Sequence, residues 1–323
     1  SMTGLVDDAL AGNEFTVNFL PITNFSGLIK FDVYATSIED SADTPSYAKS
    51  QSEIITLTQT IDPVSQTPEI SLTDVSVVEN TKDMITELND ETTYKTDLSN
   101  ITVSVSDTSS LTEVTVALSV AKDADGLVDN ETLTEAGNFT IGGALANINY
   151  LVNSTVSISS ASDNASVTFT ITGTDVNGAS QTETITGVNS NTVEGTKTFK
   201  TITQISSDAG ADGINVGATP DFNLDISGVS VNNPLFVLDE NYSVSATSPL
   251  SIKVNPSDGS TVGADLVADM TTLLGLVKLV PPEDYSGTST ITTSVTSKET
   301  GAEESQAAID SFGVTISAVA ETP

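Results

Sequence analysis

The sequence predicts an all-β chain of tandem β-sandwich domains joined end to end in an elongated rod. Three observations carry that expectation. Thr, Ser and Val dominate and helix formers are scarce, which suits pleated strands. Apolar and polar residues alternate with period two in many short runs. A proline-marked boundary recurs along 323 residues, a length that suits two or three domains.

The strands come first. Glu53-Ile54-Ile55-Thr56-Leu57-Thr58, Ile101-Thr102-Val103-Ser104-Val105-Ser106, Ser166-Val167-Thr168-Phe169-Thr170-Ile171 and Phe312-Gly313-Val314-Thr315-Ile316 each put β-branched or aromatic side chains mainly on one face. Turn residues separate such runs at sandwich-like spacing. The stretch FTITGTDVNGASQTETITG (169–187) reads as a hairpin around Asp175-Val176-Asn177-Gly178, because Asn-Gly accepts the backbone of a tight turn. Sustained helical periodicity is missing. Ala264 to Leu276 is expected to form one or two helical turns before a strand, and Ala144 to Tyr150 the same.

Internal repeats set the domain organisation. LPITNFSG (20–27) and VPPEDYSG (280–287) are each followed by an alternating strand, Leu28 to Ala35 and Thr288 to Val295. An acidic loop follows each, Ile38 to Asp43 and Lys298 to Glu304. A last strand then ends in IDPVSQTPEI (61–70) or ISAVAETP (316–323). Thr-Pro recurs at Thr67-Pro68, Thr219-Pro220 and Thr322-Pro323, and VSVVENT (75–81) and FVLDENY (236–242) follow the first two. The expected units are 1–66, the C-terminal part of one repeat, then 67–218, a longer middle domain, and 219–323, a further repeat. The middle unit reads as one domain or as two subdomains dividing near 150–160. Proline at the junctions restricts the backbone and favours a stiff, extended link. Such an array grows as a rod in which each unit touches its neighbours.

Composition narrows the function. Forty-four Asp and Glu face ten basic residues, all Lys, for a net charge of −34. Nucleic acid and anionic membrane surfaces are poor partners for such a chain, since both demand cations. No run approaches the roughly 18 apolar residues of a membrane-spanning helix, so no membrane insertion is expected. Metal cations suit this surface, and solubility in a salty medium explains it equally well. Cys, His and Trp are absent. That removes the thiol, the imidazole base and the zinc ligand set, and with no arginine clamp either, no enzyme is expected. No signal peptide is visible, and none is expected in this stretch. The chain reads as a piece that starts inside a domain, with export signals elsewhere.

The run F/Y-S-G plus strand, acidic loop, strand and D-P-V-x-x-x-P resembles the tandem cadherin-like or immunoglobulin-like extender repeats of giant bacterial surface adhesins of the RTX type. The matching residues are Pro21 to Gly27, Ile61 to Pro68, Val280 to Gly287 and Ala318 to Pro323. The likeness covers the first and third units. In the middle unit, TGTDVNGASQTETITG is also similar to segments of phage structural proteins. The resemblance implies β-sandwiches stiffened by Ca2+ at their junctions, on the outside of a bacterial cell, in adhesion or biofilm. Neighbouring repeats of the same chain would be the partners, with host-cell or surface ligands held by other domains. Where that family's junction carries an acidic residue before the last small residue and Pro, this chain has Gln66 at the first junction and Glu321 at the last. Two other functions stay open: a phage virion structural or decoration protein, and a glycan- or protein-binding module.

Calcium takes six to eight oxygen ligands, largely carboxylates and carbonyls. The densest candidate is KDADGLVDNE (122–131), where Asp123, Asp125 and Asp129 would converge around a turn at Gly126 with Glu131 closing. It lacks the full EF-hand pattern, and an exposed Asp-Gly hairpin turn is the alternative. Asp62, Glu69, Asp74 and Glu79 flank one junction. Asp221, Asp225, Asp239 and Glu240 flank the next, with Asp208 and Asp212 just before it. Solvated charge beside a hinge explains these sets too. Phe25 and Tyr285 are expected in the core at the start of a strand. Glu283 and Asp284 form a carboxylate pair with no sugar-stacking aromatics to suggest a glycosidase.

Overall fold

The computed structural model describes residues 19–23, 25–38, 49–79, 95–108, 110–146, 154–220, 222–225, 236–238, 243–244, 250–254, 263–282 and 285–319. Among them are 24 strands and one helix, so the fold is all-β. The chain divides into two compact units, Ser1–Pro63 and Val64–Pro323.

In the first unit Gly27–Val33 pairs antiparallel with Ile55–Ile61, and Thr36–Ile38 with Lys49–Gln51. The register puts Ile29, Phe31 and Val33 on one side with Ile55, Leu57 and Ile61. Phe19 meets Phe31 edge to face, with ring centroids 5.1 Å apart. No second layer covers this hairpin among the described residues, and Phe25, expected in a core, is exposed.

The same hairpin recurs in the second unit. Gly27 (φ 120°) pairs with Ile61, and Gly287 (φ 144°) pairs with Ile316. Gly287–Glu299 then runs antiparallel to Ala308–Ser317. Its inward positions Ser289, Ile291, Thr293, Val295, Ser297 and Glu299 are all buried. The hairpin lies inside a six-stranded sheet in the order Phe236–Leu238, Leu250–Val254, Leu111–Val120, Gly287–Glu299, Ala308–Ser317, Val75–Val78. Val114, Val116, Leu118 and Val120 alternate into the core, as period two demands.

A four-stranded sheet follows the order Ser243–Val244, Phe222–Asp225, Lys278–Val280, Thr96–Asp97, and Glu69–Leu72 pairs with Ile101–Ser104. The helix α1, Ala264–Leu276, belongs to the same unit. Leu266, Met270, Leu273 and Leu274 recur along one face of it and are buried, as is Val277 just past its end. At thirteen residues it exceeds the one or two turns expected from sequence. The apolar stripe gains its stability from the core it covers rather than from helix propensity.

Residues 123–218 supply two further four-stranded sheets. One has the order Asp123–Leu133, Ala211–Ala218, Ser154–Ser159, Thr192–Phe199, and the other Gly137–Asn138, Thr201–Ser207, Thr168–Thr174, Ser180–Thr186. Phe139, Phe169, Phe199, Ile171, Ile205, Val156 and Ile214 form their core. The expected hairpin at 169–187 is present: Thr168–Thr174 pairs with Ser180–Thr186. Asp175 Oδ1 accepts from the amides of Asn177 and Ala179, and Gly178 takes φ 81°. The six-stranded sheet joins strands from 67–121 and from 219–323, on either side of residues 123–218. Ser154–Ser159 pairs with strands on both of its sides.

Candidate cation-binding carboxylates

The stretch 122–131 does not fold as expected. Asp123–Leu133 is one strand, paired with Ala211–Ala218 through repeated register shifts, and no turn forms at Gly126. Leu127 and Val128 are both buried, which a bulge permits and regular alternation forbids. The Gly126 carbonyl accepts from the Leu145 amide at 2.6 Å, and the Leu127 carbonyl from Gly142 and Gly143. A Cβ at 126 would lie 2.6 Å from Leu145 and 2.7 Å from Asp123, so glycine here serves close packing. Burial of two apolar side chains has overridden the turn preference of Asp-Gly.

The strand separates the four carboxylates. Asp129 is exposed. Glu131 accepts from the Thr140 amide at 2.7 Å instead of closing a loop. Asp123 does meet Asp125, and it also faces the Tyr285 hydroxyl. Among the described residues no three acidic side chains converge to hold a metal. Asp123 and Asp125 are the two carboxylates of this stretch that meet, against the four expected to converge.

Burial, then the neighbouring Asp125, pushes the Asp123 carboxyl up to about 6. Tyr285 is fully buried and shares a hydrogen bond with Ser289 at 2.7 Å. Burial raises it to about 12. Because Asp123 titrates above the ordinary carboxylate range, the native state holds its proton more tightly than the unfolded chain does. That stabilisation is complete below about pH 4 and is lost as pH rises through about 6. Asp123→Asn is therefore expected to leave stability unchanged at pH 4. At pH 8 in chelator it should raise stability by about 1 kcal/mol, the half-buried position being screened by solvent. Urea unfolding at the two pH values checks this. A loss of stability at pH 8 would show instead that the charged carboxylate is the stabilising form.

Four other candidates, Asp74, Glu79, Asp208 and Asp212, hold amides or hydroxyls of other segments. Asp74 Oδ1 accepts from the Gly313 amide at 2.7 Å, and Glu79 Oε2 from the Val319 amide at 2.9 Å. Asp208 Oδ1 accepts from the Thr168 amide at 2.8 Å, which holds its carboxyl below the usual range. Asp212 accepts from Ser162 at 2.7 Å and Thr132 at 2.9 Å, and these bonds lower it too. Asp225 pairs with Lys95 at 2.9 Å. Asp62 and Glu69 are exposed. Asp221, Asp239, Glu240, Glu283 and Asp284 lie outside the described residues.

Among the described residues Asp107, Glu183 and Glu299 are buried as well, and none of them is a candidate from sequence. Glu183 Oε1 accepts from the amides of Thr196 (2.5 Å) and Lys197 (3.1 Å) and from the Thr196 hydroxyl (2.9 Å). It thereby ties the edge strand Ser180–Thr186 to Thr192–Phe199, a strand of the other sheet. Glu299 Oε2 accepts from Ser110 at 2.7 Å. The second oxygen of each glutamate is buried without a hydrogen-bond partner. Parity carried the signal: Glu183 shares its face with Ile185, and Glu299 with Val295. Neither a family model, nor a curated protein, nor a solved structure matches the chain.

Proposed function

We propose that the chain is a non-catalytic, extracellular extender segment of a large bacterial surface adhesin, built of immunoglobulin-like or cadherin-like β-sandwiches in a rod. The observation that carries this reading is how its carboxylates are used. Asp74, Glu79, Glu131, Asp208 and Asp212 each hold an amide or hydroxyl of another segment. Such side chains lock strands together, which is the work of a load-bearing spacer.

The sandwich arrangement is supported by the switch of the first segment between sheets. Glu69–Leu72 pairs with Ile101–Ser104, and Val75–Val78 then pairs with the last strand of the six-stranded sheet. Phe222, in the four-stranded sheet, meets Tyr285 edge to face at 6.1 Å just before the strand Gly287–Glu299. Two layers closing over Leu224, Leu279, Ile291 and Phe312 account for this burial. The repeated hairpin at 27–61 and 287–317 supports a tandem array.

Calcium belongs to the proposal through charge. Forty-four carboxylates against ten lysines repel one another, and a divalent cation bound by the native state would relieve that repulsion. A thermal melt with millimolar calcium, with chelator, and with magnesium as control tests this. A calcium-specific rise of several degrees, with a more extended particle in solution scattering, is the expected result. An unchanged melting temperature would remove calcium from the reading. Concentration-dependent assembly in light scattering would move it to a laterally packed virion protein.

A further inference from the structure

We propose that the segment 65–79 and the last strand of the second unit form a mechanical clamp that loads in shear when the chain is pulled. Val75–Val78 runs parallel to Ala308–Ser317, whereas every other pair in the six-stranded sheet is antiparallel. The register is Val75 with Val314 through Val78 with Ser317. The entering segment follows the last strand along its length. Near the start of that strand, Ser65 Oγ donates to the Glu303 carbonyl at 2.6 Å and accepts from the Glu299 amide at 3.0 Å. Ser297 Oγ donates to the Gln66 carbonyl at 2.5 Å. At its end, the Glu79 amide donates to the Ser317 carbonyl at 2.9 Å. The Asp74 and Glu79 carboxylates bind the amides of Gly313 and Val319, one on each side of the paired stretch.

The direction of the strands decides the response to force. The chain enters at one end of the pair and leaves at the other. Tension therefore slides the two strands past each other and strains the bonds between them together. An antiparallel hairpin pulled at its open end loses its bonds one at a time. Asp74 and Glu79 add two charge-assisted bonds, the stronger kind, across the same seam. The biological sense of the clamp rests on the reading of the chain as a load-bearing spacer.

The test is single-molecule pulling on the full chain in excess chelator, so that it stands apart from the calcium melt. The sequence has no Cys, so Val64→Cys with Ala318→Cys supplies unique handles at the two ends of the second unit. Asp74→Ala with Glu79→Ala is expected to lower the peak unfolding force by roughly a quarter or more, since two of its strongest cross-bonds go. Asp208→Ala, which removes a brace elsewhere in the unit, is expected to leave that force unchanged while lowering the melting temperature. Asp74→Asn with Glu79→Gln keeps the shape, weakens the acceptors and should give a smaller fall. Unchanged force in both clamp variants would overturn the proposal, as would an equal fall in Asp208→Ala.

Discussion

Tyr285→Ala is expected to lower the unfolding free energy of the second unit by about 3–5 kcal/mol, as a large aromatic lost from a closed core does. The ring is fully buried and packs edge to face on Phe222. Its hydroxyl is bonded to Ser289 and faces Asp123, so the side chain joins the six-stranded sheet to the start of the Asp123–Leu133 strand. Phe222–Asp225 and Gly287–Glu299 each pair with a strand on both sides, which limits how far they can collapse into the space. For a unit of this size the melting temperature should fall by about 10 °C. Tyr285→Phe keeps the ring and leaves the buried Ser289 hydroxyl without this partner, for a loss of about 1–2 kcal/mol. Urea unfolding followed by circular dichroism gives both values. Equal losses would place the whole effect in the hydroxyl and none in the packing.

Gly173→Ala should destabilise the second unit by about 2–4 kcal/mol, through overpacking that the backbone alone can relieve. A Cβ at 173 would fall on the Thr201 carbonyl oxygen, in the neighbouring strand. The register between these strands shifts between Thr172 and Gly173, so the close approach is built into the pairing. Gly275→Ala is the matching control with the opposite sign. Gly275 lies in α1, and a Cβ there meets nothing within 4 Å. It should gain about 0.5–1 kcal/mol from helix propensity. If both substitutions change stability in the same direction, the steric argument at 173 fails.

Several features were legible in the sequence because their causes are local. Period-two alternation placed the strands around Ile101, Phe169 and Phe312. The Asn-Gly pair located the turn between Thr168–Thr174 and Ser180–Thr186. The F/Y-S-G repeat marked two hairpins that both open on a positive-φ glycine. The buried carboxylates were legible only by parity, since a Glu on the inward face of a strand looks ordinary until that face is known to be covered.

The sequence by itself therefore determined the all-β class, the strand-forming runs and the repeated hairpin, since these depend on side-chain alternation and turn chemistry within a few residues. Tertiary structure decided the rest. It drew Asp123–Leu133 out into a strand, because burying Leu127 and Val128 against the Ala211–Ala218 strand outweighed an Asp-Gly turn. It extended α1 over a core that no local window displays. It paired Leu111–Val120 with Gly287–Glu299 and Val75–Val78 with Ala308–Ser317, partners far apart in the chain. It also chose which carboxylates meet a neighbour and which amide each one holds. Those choices follow from the fit of whole faces against one another, and composition and spacing along the chain carry no record of that fit.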